Sequence, residues 1–351
     1  MVTANNLTDK DIVLVTGAAG FIGSNFVKLL LAERNCRVLV MDALTYAGNP
    51  ANLEPFRSDP RFAFYPGKIE DPTVVNGILR WEKVTGLVNF AAESHNDRSM
   101  LDPTSLIATN TTGVANLLEA SRRFGVKKIV HVSTDEVYGE KATGLFVETD
   151  PLAPRQPYSA AKAGGDLQAT AHAISFSAPV SITRGSNTFG PNQYPEKILP
   201  FFITRAMQDK KLPLYGDGSQ VRDWIFVEDH CRGVLAALEN GLPGEAYNIG
   251  GGNERTNIEV TRKILGHLNK PESLIKPIID PRGKGHDFRY ALDSTKAVGI
   301  GFKPRADFDN AIKETVNWYV NNESWWRPIV ESNEYQVFVK RYYGPALGDD
   351  L

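Results

Sequence analysis

Short apolar runs alternate with amphipathic segments over the first 134 residues of the chain. The apolar runs predict five strands, at residues 11–17, 36–44, 61–67, 86–93 and 127–134. Between them, apolar residues recur at helical spacing in the segments 21–35, 73–83 and 111–125. Near-continuous apolar strands joined by helices predict a parallel sheet covered on both faces, which is the doubly wound α/β fold class.

The pattern changes after residue 190, where loops rich in glycine and proline become frequent. Residues 229–240 return to a helical pattern, and residues 245–251 suggest a further strand of the first domain. We therefore expect a first domain over 1–190 with returns near 229–251, and a smaller α/β domain with a C-terminal tail over 191–351. The aromatic residues of the tail, at about 313–343, are interpreted as packing residues rather than ligand contacts.

Charge and cysteine content narrow the class of protein. The net charge of −2 gives no reason to expect nucleic acid or an anionic membrane as a partner. The two cysteines, Cys36 and Cys231, are expected to be reduced thiols in a chain of this length. The N-terminal stretch lacks the pattern of a signal peptide, and no apolar run approaches the length of a membrane span. A cytoplasmic location is the expectation.

A glycine-rich turn separates the first predicted strand from the first predicted helix. It contains Gly17, Gly20 and Gly23, a spacing that lets the backbone approach a pyrophosphate at the start of a helix. The second strand then ends in Asp42, whose carboxylate can accept ribose hydroxyls and would repel a 2′-phosphate. The pattern favours a Rossmann-type domain that binds NAD rather than NADP, although Asp42 alone is equally typical of a turn or a helix cap.

Two further residues, Tyr158 and Lys162, lie four positions apart in a segment that reads as a helix start. They would therefore lie on one helix face, where the lysine ammonium stabilises a phenolate and lowers the pKa of the tyrosine. Such a phenol can act as a base towards an alcohol. The pair occurs often by chance, and it becomes informative only together with the glycine turn and the hydroxyls of Ser133 and Thr134.

An adjacent acid pair, Asp135 and Glu136, follows the fifth predicted strand. Successive residues of a strand point to opposite faces, so a strand running through this pair would separate the two carboxylates. If both serve one site, the strand must end by Ser133 or Thr134 and the chain must turn there. The alternative is a solvated loop or a helix N-terminus, where acids are also common.

These motifs together resemble the extended short-chain dehydrogenase/reductase family, and within it the nucleotide-sugar 4,6-dehydratases. The resemblance spans about residues 12–330. Besides the glycine turn and the Tyr158–Lys162 pair, it is carried by the segments AAESHNDRS (91–99), STDEVYG (133–139), RGSNTFGPNQYPEKILP (184–200), LPLYGDGSQVRDWIFVEDHCRG (212–233) and YNIGGGNERTN (247–257).

The resemblance implies an activity that removes water across C5–C6 of a nucleotide-linked hexose, with NAD as cofactor, no metal and a homodimeric enzyme. It makes dTDP-glucose the expected substrate. Oxidation at C4 acidifies the C5 hydrogen; Tyr158 and Lys162 serve that oxidation, with Thr134 orienting the 4-OH oxygen. Asp135 is then expected to protonate the 6-OH leaving group, and Glu136 to remove the C5 proton. These opposite tasks require opposite protonation states.

The resemblance also assigns binding residues by position. The expected NAD site comprises Gly17, Gly20, Phe21, Ile22, Gly23, Asp42, Ala43, Leu44, Thr45, Ile69, Phe90, Ala91, Ala92, Ser94, Thr109, Tyr158, Lys162 and Thr188. The expected substrate site comprises Ser94, Thr134, Asn187, Lys197, Ile198, Pro213, Leu214, Tyr215, Arg222, Asn257 and His286. Arg222 suits bidentate contact with the pyrophosphate, against the alternative of a salt bridge to Asp217 or Asp223.

Two segments depart from the family pattern. Lys68 stands where the family has an acidic residue before Ile69, which puts the side-chain contact to adenine in doubt, and Asp71 is a possible substitute. The loop PRGKGHD (281–287) is longer than its family counterpart, so UDP-glucose is a rival substrate.

Two other classes of function share part of the pattern. A 4-epimerase of the family does not need the acid pair, and a UDP-glucuronate decarboxylase keeps only the glutamate. Asp135 next to Glu136 therefore favours the dehydratase. A catalytically silent NAD-binding protein would tolerate the loss of Tyr158, Lys162 or Glu136, and all three are present.

Overall fold

The computed structural model describes residues 6–348, with side chains throughout except at 99–101 and 284. The outermost residues of both expected domains, and the first five of the N-terminal stretch discussed above, lie outside the described residues. The strands are β1 (Ile12–Thr16), β2 (Arg37–Asp42), β3 (Phe62–Pro66), β4 (Gly86–Asn89), β5 (Lys128–Thr134), β6 (Val180–Gly185), β7 (Asn187–Phe189), β8 (Leu212–Tyr215), β9 (Val221–Phe226), β10 (Ala246–Ile249), β11 (Glu254–Thr256) and β12 (Ile275–Ile278).

The helices lie between and after these strands. They are α1 (Phe21–Glu33), α2 (Pro72–Glu82), α3 (Asn96–Leu101), α4 (Ser105–Ile107), α5 (Val114–Phe124), α6 (Pro157–Phe176), α7 (Ile198–Met207), α8 (Val227–Asn240), α9 (Asn257–Leu268), α10 (Thr295–Gly299), α11 (Phe308–Asn321), α12 (Glu323–Glu331), α13 (Asn333–Tyr342) and α14 (Gly344–Leu347). A π-helical turn, Ala108–Gly113, joins α4 to α5, and short 3₁₀ turns occur in several loops.

Seven strands form a parallel sheet in the order β10-β6-β5-β4-β1-β2-β3. Alternate residues of β1 pack in two different hydrophobic cores. Val13 and Val15 lie in the core that contains Phe26 of α1, and Leu14 lies in the core that contains Val75 of α2. Both faces of the sheet are therefore buried, which explains the near-continuous apolar strands. The predicted doubly wound fold class is confirmed.

The chain returns to this sheet after leaving it. The strand expected within 245–251 is β10, which pairs with β6 at one edge, and α8 packs beside α1. The remaining strands form two small sheets, β11-β9-β7 and β12-β8. These small sheets and α9 supply the second wall of a large cavity, while the division into two domains stays a prediction.

The tail helices pack against both parts of the molecule through aromatic side chains. Trp326 and Tyr319 are fully buried, and the indole N–H of Trp326 donates to the carbonyl of Tyr319 at 2.8 Å. The indole of Trp325 donates to Asn52 at 2.8 Å, next to the glycine turn. For these three residues the packing interpretation is confirmed. Among residues 6–348, no helix combines the length and the apolar character needed to cross a membrane.

The buried indole of Trp326 gives the first prediction. Trp326→Ala should lower the free energy of unfolding by about 3–5 kcal/mol, because the vacated volume cannot be refilled by the rigid helices around it. Trp81→Ala is the matched control, since that indole is 76% exposed and its loss should cost less than about 0.5 kcal/mol. Urea denaturation of both variants measures the difference. Equal losses would show that the tail does not support the fold.

Candidate active site

The cavity lies along the carboxyl ends of the parallel strands and has a volume of about 970 Å³. Its floor includes Gly17 after β1, Asp42 at the end of β2, Phe90 after β4, and Thr134 and Gly185, which are paired at the ends of β5 and β6. This edge is where a doubly wound sheet holds its ligands. The small sheets and the tail close the opposite side.

The glycine turn has the geometry that close approach to a ligand requires. Gly17 adopts a φ of +67°, and a Cβ there would lie 2.5 Å from the backbone nitrogen of Ala91. A Cβ at Gly23 would lie 2.5 Å from the carbonyl oxygen of Gly17, so a side chain would push α1 away from the turn. Gly20 precedes α1 as its N-cap, leaving the first N–H groups of the helix directed at the cavity edge.

The carboxylate of Asp42 both braces the turn and lines the cavity. One oxygen accepts from the N–H of Ala19 and the other from the N–H of Leu44, each at 2.8 Å. Burial raises the pKa of Asp42, against these two hydrogen bonds. Each oxygen retains a lone pair for a further donor, as a ribose hydroxyl would be. The turn, the helix start and this carboxylate fit a dinucleotide such as NAD.

One expected NAD contact and the suggested adenine substitute lie outside the cavity lining. The side chain of Leu44 is exposed, and the residue acts through its backbone N–H on Asp42. Asp71 caps α2 by accepting from the N–H of Thr73 at 2.8 Å, so it does not replace an adenine contact. Lys68, Ile69 and Glu70 line the cavity here, and Glu70 accepts from the hydroxyl of Thr109.

The expected break in the pleat is present at the end of β5. The strand stops at Thr134, and a 3₁₀ helix spans Asp135–Tyr138. The Thr134 hydroxyl caps this helix by accepting from the N–H of Glu136 at 3.3 Å. Gly139 ends it at a φ of +80°, where a Cβ would lie 2.4 Å from the carbonyl oxygen of Ala153. Both carboxylates consequently line the same cavity.

The two carboxylates have different surroundings. Burial, together with the charges of Glu136 and Asp223, holds the pKa of Asp135 well above its usual range. Its Oδ1 accepts from Thr134 at 3.2 Å, whereas Oδ2 has no hydrogen-bond partner among the described residues. Glu136 accepts from the amide nitrogen of Asn96 at both oxygens, at 2.9 and 3.2 Å. One carboxyl group is thus favoured as an acid, while the other accepts hydrogen bonds from a single amide nitrogen.

Tyr158 and Lys162 stand one turn apart near the start of α6 and are both buried. The ammonium of Lys162 donates to the carbonyl of Val132 at 2.6 Å, and burial lowers its pKa to about 8. Burial raises the pKa of Tyr158, and the charges of Glu136 and Asp135 raise it further. The expected lowering of the tyrosine pKa is therefore not found in the protein alone, where desolvation and the two carboxylates raise it.

Arg222 lies in the second wall and is held by groups that the sequence did not suggest. Its terminal nitrogens donate to the carbonyls of Val221, Phe288 and Asp287 at 2.7–3.0 Å and contact His286 at 2.7 Å. These contacts occupy both terminal amino groups, so in this geometry Arg222 supplies charge rather than the bidentate fork that was expected.

The suggested salt-bridge partners of Arg222 are engaged elsewhere. Asp217 accepts from the N–H of Ser219, and Asp223 accepts from the N–H of Asn253, each at 2.9 Å. The alternative of a structural salt bridge to either aspartate is therefore wrong.

The other expected substrate residues reach the cavity from several elements. Lys197, which precedes α7, donates to the carbonyl of Ser94 at 2.8 Å and so joins the two walls. The further members of the expected substrate set that line the cavity are Asn187, Ile198, Pro213, Leu214, Tyr215, Asn257 and His286. The expected NAD contacts other than Leu44, from Gly17 to Thr188, also line it.

Several cavity residues were missed by sequence reasoning. Arg282 places its guanidinium 4.8 Å from the ring centre of Tyr215 and contacts His286 at 2.8 Å, adding a second, half-buried cation. Phe338 and Tyr343 of the tail line the cavity although the tail aromatics were interpreted as packing residues. Arg282 lies inside the loop 281–287, which departs from the family pattern, so the sequence did contain a signal for it. Nothing in the local sequence distinguishes Phe338 and Tyr343 from the packed aromatic residues beside them.

Substitution of Gly17 tests the turn directly. Gly17→Ala should weaken NAD binding at least about 10-fold, because the new methyl group overlaps the backbone of Ala91 and the positive φ adds strain. Gly125→Ala is the matched control: its φ is +71°, but nothing lies within 4 Å of the added Cβ. It should lose about 1–2 kcal/mol of stability and keep the wild-type affinity. Calorimetric titration with NAD compares them, and unchanged affinity in Gly17→Ala would exclude the turn as the contact.

Comparison with known proteins agrees with this geometry. The family model described as GDP-mannose 4,6 dehydratase matches residues 14–315. The dTDP-glucose 4,6-dehydratase of Actinoplanes sp. is 46% identical over 90% of this chain and 99% of its own. That of Streptomyces antibioticus is 45% identical over 95% of this chain and 97% of its own.

A solved structure is similarly close. The crystal structure of DesIV, a dTDP-glucose 4,6-dehydratase from Streptomyces venezuelae with NAD and TYD bound, is 45% identical to this chain. It superposes with a TM-score of 0.88 and covers 91% of this chain and 99% of its own. The chain belongs to the family described as GDP-mannose 4,6 dehydratase.

Proposed function

We propose that the protein converts dTDP-glucose to dTDP-4-keto-6-deoxyglucose and water as an NAD-dependent 4,6-dehydratase. The observation that carries this proposal is the shared cavity of Asp135, Glu136 and Tyr158 beside the glycine turn. An epimerase reaction has no use for the adjacent acid and base. The relatives named above support dTDP-glucose as the substrate and NAD as the cofactor.

The first stage of the reaction needs a base at the 4-OH group of the sugar. Tyr158 takes that proton, and Thr134, at the end of β5, orients the oxygen by hydrogen bonding. Bound NAD supplies a hydride acceptor and donor, and a positive charge that offsets the carboxylates beside Tyr158. Lys162 adds a second positive charge from the same face of α6.

The second stage removes water across C5–C6. A C4 ketone makes the C5 hydrogen acidic, because the resulting carbanion is an enolate. Glu136 takes the C5 proton, and Asp135 protonates the 6-OH as it leaves. The raised pKa of Asp135 favours the protonated form that this task needs, and Oδ2, which has no partner among the described residues, is the atom available to the leaving group. Hydride return to C6 and reprotonation at C5 complete a cycle without net redox change.

The nucleotide is expected to lie against the second wall. The buried Arg222 and the half-buried Arg282 place two positive charges near the expected pyrophosphate, in agreement with the charge of a nucleoside diphosphate. Tyr215, Pro213 and Asn257 supply a ring, an apolar edge and an amide beside them. UDP-glucose lacks the methyl group of the thymine base and carries a ribose 2′-hydroxyl, and it is the second candidate substrate, favoured by the altered loop 281–287.

We also propose that the enzyme is a cytoplasmic homodimer. Support comes from the outer surface of α6, where Leu167, Ile174 and Phe176 are exposed as large apolar side chains on a helix that flanks the sheet. In the family that this chain resembles, subunits pair through such helices. Cys36 and Cys231 are buried free thiols, as is usual for proteins of a reducing compartment.

A product assay tests the proposed function. The purified enzyme is incubated with dTDP-, UDP- and GDP-glucose, and a 4-keto product is revealed by its absorbance after addition of alkali. We expect product from dTDP-glucose with the highest kcat/KM of the three. No 4-keto product from any of them would overturn the proposal in favour of an epimerase or a silent NAD-binding protein, and a preference for UDP-glucose would overturn the choice of base.

The acid and the base are separated by two variants. Asp135→Asn should still reduce NAD when mixed with substrate but eliminate water about 10²–10⁴-fold more slowly, because the general acid is lost. Glu136→Gln should lose solvent deuterium uptake at C5 to a similar extent. Stopped-flow absorbance and mass spectrometry of the product provide the two measurements. Wild-type turnover in Asp135→Asn, or unimpaired uptake in Glu136→Gln, would refute the corresponding role.

A further inference from the structure

Helix α3 places an amide directly against one of the two carboxylates of the site. The side-chain nitrogen of Asn96, the first residue of α3, lies 2.9 Å from one oxygen of Glu136 and 3.2 Å from the other. Both side chains are buried, at 9% and 8% relative exposure. An N–H donor shared by both oxygens fixes the plane of the carboxylate and compensates part of its buried charge.

The other residues of this helix start are anchored elsewhere. His95 contacts the carbonyl of Glu196 at 3.1 Å, and Arg98 pairs with the carboxylate of Glu196 at 3.0 Å. Asp97 accepts from the hydroxyls of Tyr342 and Tyr343 at 3.0 and 2.8 Å. The start of helix α3 is thus held in place by the side chains of His95, Asp97 and Arg98, which do not involve that of Asn96.

The chemistry of the pair gives this contact a purpose. The proposed base, Glu136, must present a carboxylate lone pair to the C5 hydrogen. The neighbouring Asp135 must keep a proton for the 6-OH group. The donor side of an amide matches an ionised carboxylate, and Asp135 has no comparable donor at Oδ2. The Asn96 amide therefore distinguishes two adjacent acids that the sequence alone presents as equivalent.

We infer that Asn96 is a positioning residue for the elimination step, where its amide fixes the carboxylate of Glu136 and aims it at C5. The inference rests on the proposed function and adds a residue to it. Asn96 acts through Glu136 and has no part in proton removal by Tyr158. Its loss should consequently affect C5 proton transfer and leave the oxidation at C4 intact.

An isosteric pair of variants tests this division. Asn96→Val removes the donor, and Asn96→Thr has the same shape but returns a hydroxyl that can donate. With dTDP-glucose, Asn96→Val should lower product formation and C5 deuterium uptake about 10- to 100-fold, the usual effect of losing a hydrogen bond to a charged group. Asn96→Thr should recover a large part of both. The rate of NAD reduction in a single turnover should stay at the wild-type value in both variants.

Tyr342→Phe is the matched control. It removes one hydrogen bond from Asp97 on the same helix, does not reach Glu136, and lies outside the cavity lining. It should leave NAD reduction and deuterium uptake unchanged.

Each outcome separates the inference from the function on which it rests. If the wild-type enzyme makes no 4-keto product, the proposed function is wrong. If it does and Asn96→Val keeps wild-type deuterium uptake, the inference is overturned while the function stands. The inference is also overturned if Asn96→Val slows NAD reduction and deuterium uptake equally, or if Tyr342→Phe reproduces its effect, because either result identifies a structural role.

Discussion

The site depends on one backbone event, the end of β5 at Thr134. The hydroxyl of Thr134 accepts a hydrogen bond from the N–H of Glu136, and the strand is followed by a 3₁₀ turn. Gly139 ends this turn close to the carbonyl of Ala153. A strand continued through this point would send Asp135 and Glu136 to opposite faces of the sheet. Because the strand stops, the proposed acid and the proposed base, which are neighbours in sequence, line one cavity.

Burial then shifts the pKa values of the titratable groups in the cavity. It raises the pKa of Asp135 and of Tyr158, and it lowers the pKa of Lys162 to about 8, because each charge is costly away from water. Glu136 differs from Asp135 mainly in receiving an amide donor from Asn96. Perturbed groups gathered in one cleft are a mark of functional sites, and here their causes can be named individually.

Sequence reasoning succeeded where the signal is local and failed where it depends on the fold. Apolar runs define the strands, and the adjacent acids require a turn at Thr134, so both were predictable. Asp71 before Pro72 is itself a helix-start signal and pointed to a cap rather than a ligand. Two of the three carbonyls that hold Arg222 come from residues about 65 positions away, and Asn96 meets a carboxylate 40 positions on. The identity of a polar residue does not indicate which distant residue it will contact in the folded protein.

Helix α3 joins these separate constraints. Through Asp97 it receives hydroxyls from Tyr215 of β8, in the substrate wall, and from the tail residue Tyr343. Through the preceding residue, Asn96, it reaches Glu136 at the end of β5. Adjacent residues of a short helix cannot be displaced independently, so the wall proposed to receive the nucleotide and the carboxylate proposed as the base share one support. The position of Glu136 is thereby fixed relative to the second wall of the cavity as well as to the sheet.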